Sequence, residues 1–274
     1  MRRRKFIADT AALLVSPWAS RAQGTPHRLG VLGQGSGLDS ALKDGLRNRG
    51  WIDGQNLIVE TRHAPSQDHL PALAAELVAL SPDLLIGGGP QAAAALKSAT
   101  ATIPIVFVAV ADPVGIGLVQ SLARPGGNIT GLSTSVPGFA RKEVDLLREI
   151  VPSASKIAVL VNPTNPMHRL TVANDHPEII QQLGVALPVV EATVAEELDS
   201  AFASAAAQKS DAIKVTGDAL IFHHAAHVIA LAAKHRLPAI YFTRYFVANG
   251  GLLSYGPQLA DLFFRAGGYA DKIL

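Results

Sequence analysis

Cysteine is absent from this chain of 274 residues. Without cysteine there is no disulfide scaffold, no iron–sulfur cluster, no thiolate zinc site and no cysteine nucleophile. Charged residues are few, at 17%, and aromatic residues make up only 5%, whereas hydrophobic residues reach 49%. This composition excludes intrinsic disorder. Its reliance on alanine, valine, leucine and isoleucine favours helices packed on buried parallel strands over an all-β sandwich.

Excess basic charge is confined to the N-terminus. Four basic residues, Arg2–Lys5, precede the mostly apolar stretch Phe6–Trp18, and the small residues Ser20 and Ala22 follow. This order is typical of a secretory signal, and Arg3-Arg4 also fits a twin-arginine pattern. We therefore predict that residues 1–22 form a signal peptide, which directs export to the bacterial periplasm by the twin-arginine or the Sec pathway.

Removing residues 1–22 changes the net charge from +2 to −2. The sequence pI of about 8.9 is thus mostly a property of the signal, and no nucleic-acid partner is expected. No stretch of the remaining chain reaches the roughly 18 uncharged apolar residues that cross a bilayer. The mature chain is predicted to have no membrane span.

Short apolar runs alternate with helical stretches along the rest of the chain, which predicts βαβ units. The pattern restarts midway: Leu29 and Ile157 open similar strands, and Asp83 and Asp211 precede similar strands, each pair 128 residues apart. We predict an α/β fold of two Rossmann-like lobes with mostly parallel sheets and a ligand cleft between them. The expected boundaries are 24–135 for lobe I, 136–255 for lobe II, and 256–274 for a helix that returns to lobe I.

Loops after the predicted strands supply candidate ligand contacts, because the carboxyl ends of parallel strands bind ligands in open α/β sheets. The first loop lacks the spacing of a dinucleotide fingerprint, so no cofactor is expected. It nevertheless offers backbone N–H groups and a hydroxyl group. The third-strand loop offers glycine flexibility and a helix start suited to a carboxylate. The candidate residues in these two loops are Gln34, Gly35, Ser36, Gly89, Pro90 and Gln91.

The later loops add further candidates. Asp112 is expected to cap the predicted helix Val114–Ala123 or to face the cleft. In the second half, Asn162, Thr164 and Asn165 follow a predicted strand, in a loop that two Asn-Pro units extend so that these side chains are free. Asp218 follows another strand and suits either a ligand ammonium group or a surface turn.

No catalytic or metal site is predicted. His223, His224 and His227 have helical spacing, but the chain has no cysteine and no HExxH motif, and no carboxylate lies in the same turn, so a solvated helix face is favoured over a metal site. The other histidines lie in polar stretches and indicate no site; they include His63, His168 and His176. No general base is paired with a nucleophile, which favours a binding protein over an enzyme.

Three stretches carry a resemblance to a known family: Asp112–Ser133 (DPVGIGLVQSLARPGGNITGLS), Ile157–Pro166 (IAVLVNPTNP) and Gly250–Pro257 (GGLLSYGP). They resemble the periplasmic substrate-binding components of ABC transporters of the tryptophan/tyrosine type. The resemblance implies the type I periplasmic binding protein fold and a small solute held between the lobes by the candidate loops. It also implies a permease partner in the inner membrane.

The resemblance further implies an amino-acid-like solute, with its carboxylate at a helix start and its ammonium group at Asp218. Alternatives are a sensory ligand-binding module and an α/β-fold enzyme such as a hydrolase. Family members continue beyond the final segment of this chain, which ends at Leu274 inside a predicted helix, so a truncated chain is expected.

Overall fold

The computed structural model describes residues 25–33, 39–134 and 138–274. The predicted signal peptide and the candidates Gln34, Gly35 and Ser36 lie outside these residues. The described strands are β1 (His27–Gly33), β2 (Leu57–His63), β3 (Leu84–Gly88), β4 (Ile105–Val110), β5 (Ile129–Ser133), β6 (Ile157–Val161), β7 (Val189–Glu191), β8 (Ala212–Val215), β9 (Ala239–Tyr241) and β10 (Leu253–Ser254).

Helices connect these strands. They are α1 (Asp39–Arg47), α2 (Leu70–Ala79), α3 (Pro90–Ala99), α4 (Phe139–Ile150), α5 (Pro166–Leu183), α6 (Leu198–Ala207), α7 (Ala219–His223), α8 (Ala225–Lys234), α9 (Arg244–Ala248) and α10 (Leu259–Ile273). Within the described residues, no helix has the length and apolar character that crossing a membrane requires.

The strands form two five-stranded sheets in which all the paired neighbours are parallel. The first sheet has the order β2-β1-β3-β4-β5, and the second has the order β7-β6-β8-β9-β10. In each sheet the second strand along the chain lies at one edge, and the first, third, fourth and fifth strands follow in that order. The two sheets therefore have the same topology, which confirms the predicted α/β fold of two similar lobes. Buried apolar residues on both faces explain why the inner strands β4 and β6 are continuous hydrophobic runs, whereas the edge strand β2 is half-buried and carries polar residues.

The repeat extends to single residues. Asp83 accepts a hydrogen bond from the backbone N–H of Arg28 at 2.7 Å, and Asp211 accepts one from that of Lys156 at 2.9 Å. Each aspartate thereby ties the start of one strand to the start of its neighbour. Two residues before each aspartate, Ser81 and Lys209 have positive φ angles of 48° and 56°. The sequence echo therefore reflects a shared local structure.

The predicted helix Val114–Ala123 is wrong, because this segment forms successive turns. The N–H groups of Leu118 and Val119 both bond to Pro113 O, and Gly117 has a φ of 72°. A left-handed residue, and hydrogen bonds that span five and six residues instead of four, are incompatible with a continuing α-helix.

The C-terminal helix α10 packs against α1 and the first sheet, although it follows the last strand of the second sheet. Two glycines permit this close approach: a Cβ atom at Gly45 would lie 2.0 Å from Phe264 O, and one at Gly267 would lie 2.4 Å from Gly45 C. The chain therefore crosses back between lobes before α10. Phe263 of this helix reaches the space between the lobes.

Candidate functional site

A cavity of about 450 Å³ lies between the two sheets, at the carboxyl ends of their strands. Both lobes line it. The first lobe contributes the ends of β1, β3 and β4, and the second contributes the starts of α4, α5 and α7. Its size suits a small organic ligand. Of the candidate residues, six line this cavity: Gly89, Pro90, Gln91, Asp112, Asn165 and Asp218.

Asp218 is the most enclosed acidic group among these residues, with 5% of its surface exposed. Its Oδ2 accepts hydrogen bonds from Asn165 Nδ2 at 2.9 Å and from Gln91 Nε2 at 3.1 Å. Its Oδ1 accepts from Asn162 Nδ2 at 3.1 Å and from the backbone N–H of Leu220 at 2.9 Å. Asp218 therefore begins α7 and collects donors from three elements, one of which belongs to the other lobe.

The loop before α5 supports this aspartate from behind. Asn162 Oδ1 accepts from the backbone N–H of Thr164 at 3.0 Å and also from the Thr164 hydroxyl group. Asn165 Oδ1 accepts from Met167 N at 3.0 Å and so caps α5. Asn162 and Thr164 do not line the described cavity. Their side chains bond within the loop and to Asp218 rather than standing free, so their contact with a ligand stays a prediction.

The third-strand loop provides a backbone surface. Gly89 has a φ of 87° and a ψ of 168°, a conformation that glycine alone adopts readily. The first hydrogen bond within α3 runs from Ala93 N to Gly89 O. The N–H groups of Gln91 and Ala92 lie before this bond and therefore have no acceptor within the helix. These two groups and the positive end of the helix dipole suit an anion.

Asp112 faces the cleft, whereas the helix that it was expected to cap does not form, and its contact with a ligand stays a prediction. It lines the cavity, and its Oδ1 accepts from Gly115 N at 2.8 Å. The group it caps is a turn rather than the expected helix. Nearby, Ala109 has a φ of 62° where the β4–β5 register shifts, and it also lines the cavity. Such a conformation is uncommon outside glycine and is frequent at functional sites.

Sequence reasoning missed several cavity residues. His63 Nε2 lies 2.9 Å from Asp39 Oδ2 in the first lobe. His168 in the second lobe accepts the backbone N–H of Asn162 at Nδ1, at 2.8 Å, so its Nε2–H donates to Gly217 O at 3.0 Å. Burial lowers the pKa of His168, so this imidazole is a neutral structural bridge. The sequence signal that could have identified His168 is its position seven residues after the end of β6.

Three further missed residues form a buried polar group in the second lobe. Glu143 on α4 pairs with Lys214 on β8, with 2.7 Å between Oε2 and Nζ. Burial raises the pKa of Glu143, and Lys214 partly offsets this effect. Burial and the positive charge of Lys214 lower the pKa of His176 on α5 to about 4. All three side chains line the cavity. Within the described residues, no cluster of three or more histidine and carboxylate groups suits a metal ion.

Two parallel α/β lobes enclose a cavity of small-ligand size, and this fold is that of the type I periplasmic binding proteins. Residues 36–274 match the family model described as ABC transporter substrate binding protein. The chain belongs to this family, and it is the extracytoplasmic solute-binding component of an ABC transporter.

Among curated proteins, the chain is similar to the tyrosine-binding protein of Clostridioides difficile strain R20291. The two are 29% identical over 243 residues, which cover 86% of this chain and 69% of that protein.

Among solved structures, the chain resembles the Streptococcus pneumoniae ABC domain in complex with L-tryptophan. They are 27% identical, covering 91% and 85% of the two chains, with a TM-score of 0.82. It also resembles the ligand-free, open form of a Clostridium difficile substrate-binding protein, at 26% identity, 90% and 84% coverage, and a TM-score of 0.61.

The chain superposes better on the tryptophan complex, with a TM-score of 0.82, than on the open form, with a TM-score of 0.61. Identity and coverage are nearly the same in the two comparisons, whereas the TM-scores differ by a wide margin. The hydrogen bond between Gln91 and Asp218, which joins the two lobes directly, agrees with a closed arrangement.

Proposed function

We propose that this protein captures an amino-acid-like solute in its cleft and delivers it to a permease in the inner membrane. The observation that carries this proposal is the buried carboxylate of Asp218. Among the described residues it accepts hydrogen bonds from neutral N–H groups and forms no ion pair. A buried carboxylate gains most from a cationic partner, and a solute ammonium group supplies one.

The other end of an amino acid suits α3. Its carboxylate would accept hydrogen bonds from the N–H groups of Gln91 and Ala92, at the positive end of the helix dipole. The ammonium group would take the position of Gln91 Nε2 beside Asp218 Oδ2. The tyrosine-binding relative and the tryptophan complex support an amino acid as the solute class.

Binding and lobe closure are coupled in this proposal. Gln91 and Ala92 lie on one lobe and Asp218 lies on the other, so a zwitterion bridges the lobes only when they are close. The solute stabilises the closed form by its higher affinity for that form. We further propose the division into 24–135, 136–255 and a returning helix, and export to the periplasm through the signal in residues 1–22.

We also propose that the cleft performs no chemistry. His168 is the imidazole next to Asp218, and both of its ring nitrogens already hold hydrogen bonds to the backbone. The nearby hydroxyl group of Thr216 donates to Leu160 O. These groups are positioned for stability rather than for proton transfer to a ligand.

Isothermal titration calorimetry with L-tyrosine and L-tryptophan tests the binding proposal. Asp218→Asn removes the negative charge and keeps the size of the side chain. We expect a loss of affinity of at least about thirtyfold, because the solute ammonium group would be buried without its carboxylate partner, which costs about 2–5 kcal/mol. Asp112→Asn is the matched control, because its Oδ1 can still accept from Gly115 N; its affinity should change less than about threefold.

A tyrosine analogue without the amino group separates the ammonium contact from a general disturbance. The wild type should bind this analogue weakly, and Asp218→Asn should weaken it no further. Near-ultraviolet circular dichroism verifies that both variants are folded. Two results would overturn the assignment of Asp218. One is an equal loss of tyrosine affinity in Asp218→Asn and Asp112→Asn. The other is that Asp218→Asn loses as much affinity for the analogue as for tyrosine.

A further inference from the structure

The cavity extends beyond Asp218 to the buried pair of Glu143 and Lys214. The two side chains are 3% and 5% exposed, and both line the cavity. Lys214 lies on β8 between Ile213 and Val215, which are fully buried in the apolar core. An ion pair in such a place stabilises a fold no better than a well-packed apolar pair of similar volume. Its location at the cavity wall therefore points to a role in binding.

His176 adds an unsatisfied polar atom beside this pair. The residue is 4% exposed and lines the cavity, and its Nε2 has no hydrogen-bond partner in the part of the chain that the structure describes. Buried polar atoms almost always have partners. A nitrogen that lacks one at a cavity wall is satisfied when a ligand brings the missing group.

The charges around this end of the cavity favour a neutral group. Glu143 and Lys214 together carry no net charge, and the Asp175 carboxyl group also lines the cavity. An additional anion would face these two carboxyl groups, and an additional ammonium group would face Lys214. A hydroxyl group avoids both conflicts, because it can accept from Lys214 Nζ and donate to His176 Nε2 or Glu143.

Much of the remaining lining of the cavity is apolar. Phe139, Phe222, Phe242 and Phe263 line the cavity together with Val161 and Leu259. Lys214 and Asp218 are four residues apart, so their Cα atoms are separated by at most about 14 Å. An elongated solute with an apolar middle can therefore reach from one polar end to the other.

We propose that Glu143, Lys214 and His176 form a hydroxyl-recognition subsite. This proposal rests on the proposed function, in which Asp218 holds the ammonium group of an amino acid. The solute class is then an amino acid whose bulky apolar side chain ends in a hydroxyl group. Lys214 donates to the hydroxyl oxygen, and the hydroxyl hydrogen satisfies His176 or Glu143.

L-tyrosine and L-phenylalanine test this subsite, since they differ by one hydroxyl group. Calorimetry should show that the wild type binds tyrosine at least about tenfold more tightly, because a site with polar hydroxyl partners leaves them unpaired when it holds phenylalanine. The double variant Glu143→Leu/Lys214→Met removes both charges at similar volume. Its ratio of tyrosine to phenylalanine affinity should fall below about three.

Two more variants keep the test decisive. Lys142→Met/Glu149→Leu removes an exposed ion pair of the same helix, α4, and should keep the wild-type ratio. His176→Leu leaves the ion pair in place and should lower the ratio at least about threefold, which answers the question if the first double variant does not fold.

Each outcome separates this subsite from the proposed function. An unchanged ratio in the folded Glu143/Lys214 or His176 variants would overturn the subsite, as would a wild type that binds phenylalanine as tightly as tyrosine. In either case a loss of both amino acids in Asp218→Asn would leave the proposed function standing. A wild type that binds neither amino acid would overturn both proposals.

Discussion

The close approach of α10 to α1 leads to a sharp prediction about two neighbouring glycines. A Cβ atom at Gly267 would lie 2.4 Å from Gly45 C and 2.6 Å from Leu46 N, which are backbone atoms of α1. A Cβ atom at Gly268 would meet only the flexible end of Arg49, at 3.3 Å. Both glycines lie inside α10, so Gly267→Ala and Gly268→Ala differ mainly in what the new methyl group touches.

The magnitude follows from this geometry. Ordinary carbon contacts need about 3.5–4 Å, so Gly267→Ala forces the two helices apart by roughly 1 Å. Overpacking of this kind costs about 1–3 kcal/mol. Each variant also gains about 1 kcal/mol from the higher helix propensity of alanine, and this gain cancels in the comparison. Gly267→Ala should therefore be less stable than Gly268→Ala by about 1–3 kcal/mol.

Urea unfolding and differential scanning calorimetry measure this difference. For a chain of this size, each kcal/mol corresponds to about 2–4 °C in Tm. Gly268→Ala should unfold at or slightly above the wild-type temperature, and Gly267→Ala should unfold below it. Because Phe263 connects α10 to the cavity, Gly267→Ala should also weaken solute binding. Equal Tm values for the two variants, or a more stable Gly267→Ala, would refute the packing argument.

Two further predictions concern stability. The pKa of His176 is lowered from 6.5 to about 4 by folding, so the unfolded chain takes up the proton first, and stability present above pH 6.5 is lost as the pH falls towards 4. At about 1.4 kcal/mol per pKa unit the full shift is worth about 3 kcal/mol, which partial solvation reduces to about 2 kcal/mol. Urea unfolding measures how much stability each protein loses between pH 7 and pH 4, and the wild type should lose about 2 kcal/mol more than His176→Phe. Equal losses in the two proteins would contradict this reasoning. Asp211→Ala should lower the free energy of unfolding by about 1–2 kcal/mol, because its carboxylate binds the N–H groups of Ser155 and Lys156; unchanged urea unfolding would contradict this role.

Much of the fold could be predicted because its signals are local. Buried parallel strands require continuous apolar runs, and the turns between them favour glycine, proline and aspartate. The echo of Asp83 in Asp211 was visible for the same reason, since each aspartate binds the start of the neighbouring strand. The segment Val114–Ala123 was predicted wrongly, because its apolar residues suit a helix while its glycines favour turns.

The candidate site was partly predictable from the rule that ligands bind at the carboxyl ends of strands. That rule identified Gln91, Asn165 and Asp218 as cavity residues. It did not identify Glu143 or Lys214, because one lies within a helix and the other within a strand. Neither position has a local signal, since a glutamate on a helix is usually exposed and a lysine is rarely buried.

The sequence by itself determined the family, the two similar α/β lobes and the loops that face the cleft, because these depend on residue order and short-range patterns. Tertiary structure decided which side chains meet. It brought Gln91 to Asp218 across 127 residues of chain and Glu143 to Lys214 across the second lobe. It also set α10 against α1, where backbone contact at Gly45 and Gly267 replaces side-chain packing. Such long-range contacts depend on how whole layers pack, and no pattern within one segment encodes them.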